Sequence, residues 1–518
     1  MPASNAMIGD QRDVIAFLSD PASYDPRPAT VQRIETHGAQ VFLAADDVFK
    51  IKRAVRYPYL DFSTLEKRHT ACARELQINS ANAPMIYKRL AAITREANGR
   101  LTFDGRGEVV EWAVQMARFR EEDVLANRIA HSPLTTDEAK SLADAVYDSH
   151  LRATVIETPP LGASTATIAA DVLAALPSLF APADQTAIQV LTARLTALVA
   201  DVQPLLERRA SEGHVRRCHG DLHLANIVLL EGRPTLFDAI EFDETLATTD
   251  TLYDLAFLLM DLDKRGQRLT ANIVLNRYLW RTQDMSDLDG LAALPVFLAL
   301  RAAIRAMVGA QKAALAGDEL TEPRSYLGRS ASYLHDSVPA LVLVGGLSGS
   351  GKSTLAAALA PSLGRAPGAL HLRSDLERKA LFKAQELEHL PEAAYSETAT
   401  AAVYQLMLHK AQSALRAGYC VIADAVHAHP SERAAMSALA EQTGARLHTF
   451  WLDAPRETLF ERVANRKNDA SDATPQVVER QMSYDLGQLE WTRLDASGPL
   501  EETLRTAMSY LHASIDPQ

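Results

Sequence analysis

Residues 340–359 read ALVLVGGLSGSGKSTLAAAL, and this stretch decides the architecture of the second part of the chain. Its central residues, Gly346 to Ser353, satisfy the pattern G-x-x-x-x-G-K-[ST] between an apolar run and an Ala- and Leu-rich helical pattern. Glycines in such a loop allow successive backbone N–H groups to point inwards at a phosphate, and the following helix adds the positive end of its dipole. The stretch therefore predicts a strand, a phosphate-binding loop (P-loop) and a helix, in preference to a plain Gly-rich turn.

Individual residues of this loop have predicted roles in binding ATP and Mg²⁺. Lys352 would reach the β and γ phosphates, and the Ser353 hydroxyl would ligate the metal ion. The predicted ATP contacts are Gly346, Ser348, Gly349, Ser350, Gly351, Lys352, Ser353 and Thr354. Further on, the apolar run 421–423 ends in Asp424, the candidate Walker B carboxylate and second metal ligand. A strand-end Asp that caps the next loop is the alternative interpretation.

The pattern around the P-loop indicates the fold of this part of the chain. Short apolar runs such as YCVIADA (419–425) and RLHTFWLD (446–453) alternate with helical patterns. Alternating strands and helices are typical of a parallel sheet that is covered on both faces. We therefore expect an α/β P-loop NTPase domain over residues 338–518.

The segment HLRSDLERK (371–379) lies between the P-loop and Asp424. Together with the P-loop it resembles small-metabolite kinases of the gluconate kinase and zeta toxin type, over roughly residues 338 to 500. The resemblance implies that Asp375 is the catalytic carboxylate at the acceptor hydroxyl and that Arg378 contacts the substrate. A plain helix N-cap at Ser374 or Asp375 explains the sequence almost as well.

A lid over the transferring phosphoryl group is the second feature that this resemblance implies. Arg462 and Arg466 fall one helical turn apart in ERVANRK (461–467), so both are expected on one helix face that contacts ATP. A solvated basic face is the competing interpretation.

A second chemical pattern stands in the first half of the chain. Residues 218–229, CHGDLHLANIVL, contain H-G-D-x-x-x-x-N, and TLFD (235–238) follows. Phosphoryl transfer needs a carboxylate at the acceptor hydroxyl and oxygen ligands for the metal ions that neutralise the phosphates. The pattern therefore predicts that Asp221 is catalytic and that Asn226 and Asp238 hold Mg²⁺.

This half resembles the aminoglycoside phosphotransferases and their choline kinase-like relatives over about residues 30 to 330. The resemblance implies that His219 and Asp254 support the catalytic loop, the latter from a buried helix. FDAIEF (237–242) stands where protein kinases have D-F-G, and no A-P-E segment follows, which argues against a protein substrate.

Two lysines are candidates for pairing with the ATP phosphates in this half. Lys50 and Lys52 alternate onto one face of the strand pattern VFKIKR (48–53), and Glu75 lies in the following helical pattern. One lysine should pair with Glu75; Lys50, between two apolar residues, is slightly favoured and Lys52 remains open. The G-x-G-x-x-G loop of protein kinases is absent from this region.

The predicted division of the chain has two domains. Residues 1–337 would form an α+β bilobal kinase-like domain, with a small sheet lobe at about 30–115 and a helical lobe at about 116–337. Residues 338–518 would form the P-loop domain with its parallel sheet. The chain of 518 residues is long enough for both.

Composition narrows the class of function. A formal net charge of -12 argues against a nucleic acid partner, and 3 widely spaced cysteines fit a reducing compartment. No segment reads as a membrane span or signal peptide, so a cytoplasmic location is expected. We interpret the sequence as a bifunctional ATP- and Mg²⁺-dependent kinase that phosphorylates a hydroxyl of a small molecule, such as an aminoglycoside or amino sugar. The alternatives are a regulatory nucleotide switch and, less favoured, an RNA or protein kinase.

Overall fold

The computed structural model describes residues 10–36, 38–57, 60–160 and 163–513. The described residues fall into two compact units, one drawn from Met1–Ile168 and Ala210–Asp261 and the other from Ala169–Arg209 and Leu262–Gln518. We call them unit 1 and unit 2. The boundary that the sequence predicts, at residue 338, differs from these divisions and stays a prediction about the domains of the chain.

The strands are β1 (Val31–Glu35), β2 (Ala39–Ala44), β3 (Asp47–Lys52), β4 (Arg56–Tyr57), β5 (Leu60–Asp61), β6 (Tyr87–Arg95), β7 (Leu101–Phe103), β8 (Glu108–Ala117), β9 (Val215–Arg217), β10 (Ile227–Leu230), β11 (Arg233–Leu236), β12 (Thr248–Asp250), β13 (Ala340–Gly346), β14 (Leu370–Arg373), β15 (Val421–Asp424), β16 (Arg446–Asp453) and β17 (Thr492–Asp495).

The helices are α1 (Arg12–Ser19), α2 (Leu65–Ser80), α3 (Leu125–His131), α4 (Thr136–Arg152), α5 (Thr165–Leu179), α6 (Gln185–Ser211), α7 (Glu244–Ala247), α8 (Thr251–Lys264), α9 (Arg268–Thr282), α10 (Met285–Gly290), α11 (Leu294–Ala316), α12 (Thr321–Tyr333), α13 (Lys352–Leu359), α14 (Ser374–Leu381), α15 (Glu397–Arg416), α16 (Pro430–Thr443), α17 (Arg456–Ala464), α18 (Pro475–Met482) and α19 (Leu500–Ala513).

Unit 1 is built on a 6-stranded antiparallel sheet in the order β1-β2-β3-β8-β6-β7. Successive side chains of β3 point to opposite faces of the sheet. Phe49 and Ile51 join an apolar core that includes Leu18 of α1, whereas Lys50 and Lys52 contact α2 on the other face. The predicted small sheet followed by helices is therefore confirmed.

Unit 2 contains a 5-stranded sheet in the order β14-β15-β13-β16-β17, in which every pairing is parallel. Val342, Ile422 and Phe450 from its central strands pack with Leu355 of α13 and Leu511 of α19. Such a sheet needs apolar residues on both faces, and the β-branched runs of the sequence supply them. The predicted α/β P-loop fold is confirmed.

One helical stretch of the described residues, Met285–Ala316, is long and apolar enough to cross a membrane by length and composition. Its most apolar window is 72% buried inside the protein. The central helix of a folded domain passes the same test, so this stretch is weak support for a membrane span.

Candidate functional sites

Two lysines and three carboxylates of unit 1 form a connected set of ion pairs, which we call the lysine network. Its members are Lys50, Lys52, Glu75, Asp238 and Glu241. Lys50 Nζ lies 2.8 Å from Glu75 Oε1 and 2.5 Å from Asp238 Oδ1. Lys52 Nζ lies 2.5 Å from Glu75 Oε2 and also pairs with Glu241 Oε1. The sequence predicts one lysine on Glu75, and the structure has both.

Burial and charge act against each other in this network. Burial opposes ionisation of Glu75, but the charges of Lys50 and Lys52 outweigh it and lower the pKa of Glu75 to about 2. For Glu241 burial prevails over the attraction of Lys52, so its pKa is raised. Burial also disfavours the Lys50 cation, yet Asp238 and Glu75 hold its pKa well above the ordinary value.

The H-G-D loop places Asp221 and Asn226 side by side. The Asn226 amide donates hydrogen bonds to the backbone oxygen of Asp221 at 3.0 Å and to its Oδ2 at 3.1 Å. His223 Nε2 lies 3.4 Å from the same Oδ2, and the Asp221 side chain is 41% exposed. A solvent-accessible carboxylate that is oriented by its neighbours suits the proton-accepting role predicted for Asp221.

Asp254 of α8 supports this loop from beneath. It is fully buried and accepts hydrogen bonds from the backbone N–H groups of His219 at 3.2 Å and Gly220 at 2.9 Å. His150 Nε2 also lies 3.1 Å from its carboxylate. His219 Nε2 in turn lies 2.9 Å from the backbone oxygen of Phe237. These contacts agree with the supporting roles predicted for His219 and Asp254.

Asp238 lies in a turn with a left-handed backbone, φ 59°. The four successive N–H groups of residues 237 to 240 are all hydrogen-bonded. Their acceptors are Asn226 O, Tyr87 Oη, Asn79 Oδ1 and His219 O, at 3.0, 3.1, 2.8 and 3.0 Å. The turn is therefore fixed both by the H-G-D loop and by side chains of α2 and β6.

Sequence reasoning missed several residues of this site. Glu241, three residues after Asp238, could have been found as a carboxylate inside the otherwise apolar FDAIEF. Tyr87, Asn79 and His150 carry no local signal, because their roles depend on partners 151, 160 and 104 residues away.

The P-loop of unit 2 has the geometry that its glycines predict. Gly346, Gly349 and Gly351 have φ values of 139°, 85° and 91°, a region that other residues seldom adopt. A Cβ atom on Gly349 would lie 2.6 Å from the backbone oxygen of Leu459. Lys352, at the start of α13, donates a hydrogen bond to Leu347 O at 2.9 Å. The Ser350 hydroxyl is buried without a hydrogen-bond partner among the described residues.

Asp424 ends β15 and lies buried beside this loop. His371 Nε2 is 3.3 Å and Arg373 Nε 3.9 Å from its carboxylate. Burial opposes ionisation, but the hydrogen bond from His371 and the charges of Arg373 and Lys352 lower the pKa of Asp424 to about 2. Burial lowers the pKa of Lys352, and Asp424 and Asp375 only partly offset that effect.

Asp375 and Arg378 both lie on α14, directly after β14, and line the same cavity as the P-loop. The N-cap of α14 is Arg373, without a capping side chain, rather than Ser374 or Asp375. The buried Arg378 donates to Ala394 O at 2.6 Å. The cavity has a volume of 1140 Å³.

The predicted lid differs from the expectation at one residue. Helix α17 ends at Ala464, so Arg466 lies beyond it and does not share a helix face with Arg462. Asn465 ends the helix, and the segment that follows is rich in Asn, Asp and Ser, which favour turns over helix. Both arginines nevertheless line the cavity, and Arg462 also donates to Ala496 O at 2.8 Å.

The segment after Arg466 is anchored to neighbouring elements of the cavity by two carboxylates that sequence reasoning missed. Asp469 pairs with Arg373 at 3.1 Å. Asp472 Oδ2 pairs with the buried Lys379 at 2.8 Å and accepts from Tyr395 Oη at 2.6 Å. The segment predicted to be a lid is thus tied by Asp469 and Asp472 to residues of β14 and α14 and to Tyr395.

Residues 98–294 match the family model described as "Phosphotransferase enzyme family", and residues 341–485 match the model described as "AAA domain". The chain joins a phosphotransferase-family segment to a P-loop segment. The first match contains Asp221, Asn226 and Asp238, and the second contains the P-loop and Asp424.

Relatives that resemble most of the chain are uncharacterized proteins of Mycobacterium bovis and Mycobacterium tuberculosis. Each is 28% identical over 494 residues, which is 93% of this chain and 95% of the relative. Among solved structures, a gluconokinase from Sinorhizobium meliloti is 20% identical, with a TM-score of 0.26, and covers 34% of this chain and 94% of its own. A choline/ethanolamine kinase family protein from Mesorhizobium loti is 14% identical, with a TM-score of 0.40. The match covers 62% of this chain and 95% of that protein.

Proposed function

We propose that the chain is an ATP- and Mg²⁺-dependent phosphotransferase with two active sites, each of which transfers the γ-phosphoryl group of ATP to a hydroxyl of a small molecule. The observation that carries the proposal is that two separate sets of lysine and oxygen-bearing side chains occur, each within one compact unit. The proposal retains the cytoplasmic location expected from the sequence. Aminoglycosides, amino sugars and related metabolites are the acceptors to test first.

The P-loop site supports this function through three features. The loop has three glycines with positive φ, and Gly349 packs so closely on Leu459 that a Cβ atom would not fit there. Lys352, Ser353 and Thr354 line the same cavity as Asp424. Ser353 and Asp424 are an oxygen donor set that suits Mg²⁺, so the residues present fit the nucleotide and its metal. Asp375 would accept the proton of the acceptor hydroxyl, and Arg466 would bring positive charge from the lid.

The unit 1 site supports the same chemistry with different side chains. Lys50, held by Glu75, would orient the phosphates, and Asn226 and Asp238 would supply oxygen ligands to the metal ion. Asp221 would take the proton from the acceptor. When bound, ATP and Mg²⁺ would supply the phosphoryl group and the neutralising charge. These residues would orient the reacting groups and exclude water from them.

The proposal is tested by a screen of hydroxyl-bearing metabolites, with ADP release from Mg²⁺–ATP measured for the full chain. Asp221→Ala and Lys352→Met should each remove a different acceptor-dependent activity by about 10²-fold or more, because each removes a proton acceptor or a phosphate ligand at one site. Leu269→Ala, an exposed side chain on α9, is the matched control and should retain both activities.

Two outcomes would contradict the proposal. If one of these variants lost all ATP consumption, the two sites would not be independent. If both variants kept every acceptor-dependent activity of the parent chain, neither site would be the one that transfers phosphate.

A further inference from the structure

One face of α9 carries four polar residues at intervals of four: Arg268, Asn272, Asn276 and Trp280. We call this set the α9 ladder. In a helix such spacing places all of them in one row. Every member donates a hydrogen bond to a backbone carbonyl in the part of unit 2 that surrounds the P-loop sheet. Arg268 donates to the carbonyls of Pro361 and Gly364, and Asn272 and Asn276 both donate to that of Ala369. Trp280 donates to the carbonyl of Leu376.

The most informative contact of the ladder is that of Asn276 with β14. The backbone N–H of His371 donates to Asn276 Oδ1 at 2.7 Å, and Asn276 Nδ2 donates to Ala369 O at 3.2 Å. Strand β14 lies at the edge of the sheet, and in a parallel sheet one neighbouring residue bonds the C=O of residue i and the N–H of residue i+2. The Asn276 amide therefore takes the place of one residue of a further strand.

The strand that Asn276 holds carries the P-loop site. His371 Nε2 reaches Asp424 at 3.3 Å, and Arg373 pairs with Asp469 of the lid. Trp280, one turn further along α9, bonds the carbonyl of Leu376 at 3.1 Å, inside the helix that carries Asp375 and Arg378. The α9 ladder and β14 together connect α9 with Asp424, the proposed metal ligand, and with the helix that carries Asp375 and Arg378, the proposed acceptor-side residues.

We propose that Asn276 is a positioning residue of the P-loop active site, acting through β14 and His371 on Asp424. The proposal rests on the function proposed above, since it assigns Asp424 to the metal ion. It means that a helix within residues 98–294, the segment that matches the phosphotransferase family, completes the other active site of the chain.

The physical reason is that an edge strand without its bridging amide has an unsatisfied N–H at His371 and a less satisfied C=O at Ala369. Asn272 also donates to Ala369 O, at 3.0 Å, so the contact that only Asn276 makes is the one to His371. Loss of that contact should loosen His371 and with it the hydrogen bond that orients Asp424. Partners that orient a metal ligand in this way typically matter about 10- to 100-fold for metal affinity.

The test is calorimetric titration of the full chain with Mg²⁺ and a non-hydrolysable ATP analogue. Lys352→Met defines the binding that depends on the P-loop. Asn276→Leu, which keeps the size of the side chain but neither hydrogen bond, should raise the Mg²⁺ concentration at half-saturation of that binding by about tenfold. Asn276→Asp, which can still accept from His371 but cannot donate to Ala369, should raise it by about threefold. Leu269→Ala on the same helix should leave it unchanged.

Amide hydrogen exchange of the nucleotide-free chain supplies a second readout. The peptide that contains His371 should exchange about tenfold faster in Asn276→Leu, whereas a peptide of the central strand β13 should not change. If Asn276→Leu fails to fold, the Asn276→Asp variant carries the test alone.

The outcomes separate the two proposals. If Lys352→Met removes a binding event and Asn276→Leu and Asn276→Asp leave its Mg²⁺ dependence unchanged, the positioning role is overturned and the proposed function stands. If Lys352→Met removes no binding event, the P-loop site is not a nucleotide site, and both proposals are overturned.

Discussion

The lysines of the two sites differ in what surrounds them. In unit 1, Lys50 and Lys52 are neutralised by the carboxylates of Glu75, Asp238 and Glu241. In the P-loop, Lys352 bonds only a backbone carbonyl among the hydrogen bonds and ion pairs of the described residues, and burial lowers its pKa. The lysines of unit 1 therefore have carboxylate partners without a ligand, whereas Lys352 hydrogen-bonds only to a backbone carbonyl within the described part of the chain.

This difference predicts how each site responds to an anionic ligand. A phosphate at the P-loop meets a partly buried lysine whose charge Asp424 and Asp375 only partly compensate, so binding relieves an existing cost. A phosphate at Lys50 must compete with Asp238 for the same ammonium group. Removal of a lysine should therefore damage folding in unit 1 and binding in unit 2.

The largest expected effect is that of Lys52→Met on the free energy of unfolding of unit 1. The change leaves Glu75 and Glu241 as buried carboxylates without their shared cation, which should cost about 3–5 kcal/mol. Urea unfolding with pulsed hydrogen exchange of peptides from β3 measures it. A loss below about 1 kcal/mol would mean that the network does not hold the unit together.

The pH dependence of unit 1 should come next in size. The pKa of Glu75 is lowered from 4.5 to about 2 in the folded chain, so its stabilising contribution is complete above pH 4.5. It is lost as the pH falls towards 2, with a total of about 3 kcal/mol. Urea unfolding followed by Trp112 fluorescence, with the other tryptophans replaced by Phe, measures this slope. In Glu75→Gln the slope should be shallower; an unchanged slope would assign it to other carboxylates.

A smaller effect is expected for Gly349→Ala in the P-loop. The added Cβ meets Leu459 O at 2.6 Å on a residue with φ +85°, which should lower the free energy of unfolding of unit 2 by about 2–3 kcal/mol. Gly444→Ala is the matched control, since Gly444 also has a positive φ, +67°, but nothing within 4 Å of the added atom. It should cost about 1 kcal/mol. Equal losses in the two variants would show that the loop is not tightly packed against α17.

The smallest expected effect is that of Lys352→Met on folding without nucleotide. Because burial disfavours the Lys352 cation, its removal should leave the free energy of unfolding of unit 2 within about 1 kcal/mol of the parent chain, or raise it. Urea unfolding compares it directly with Lys52→Met. A loss as large as that of Lys52→Met would remove the contrast between the two sites.

The parts of the sites that lie close together in sequence could be predicted, and those that depend on distant contacts could not. The P-loop, Asp424 and the H-G-D loop are short patterns in which each residue's role follows from its neighbours. The pairing of Lys52 with Glu241 joins residues 189 apart, and nothing local in either strand or turn signals it. The misplaced Arg466 shows the opposite error, since helical spacing was continued two residues past the end of α17.

The same limit applies to α9. Its row of Arg268, Asn272, Asn276 and Trp280 is visible as a four-residue period, but a polar row on a helix is usually a solvated face. Only the structure identifies the backbone carbonyls that these side chains meet, which lie after α13, next to β14 and in α14.

The turn at Asp238 has a consequence for inhibitors of the first site. A compound that requires this turn to flip must break the hydrogen bonds of four consecutive N–H groups, at a cost of about 4 kcal/mol before any gain from its own contacts. That is a factor of about a thousand in affinity. Chemical screens against this site should therefore favour compounds that fit the turn in its present shape.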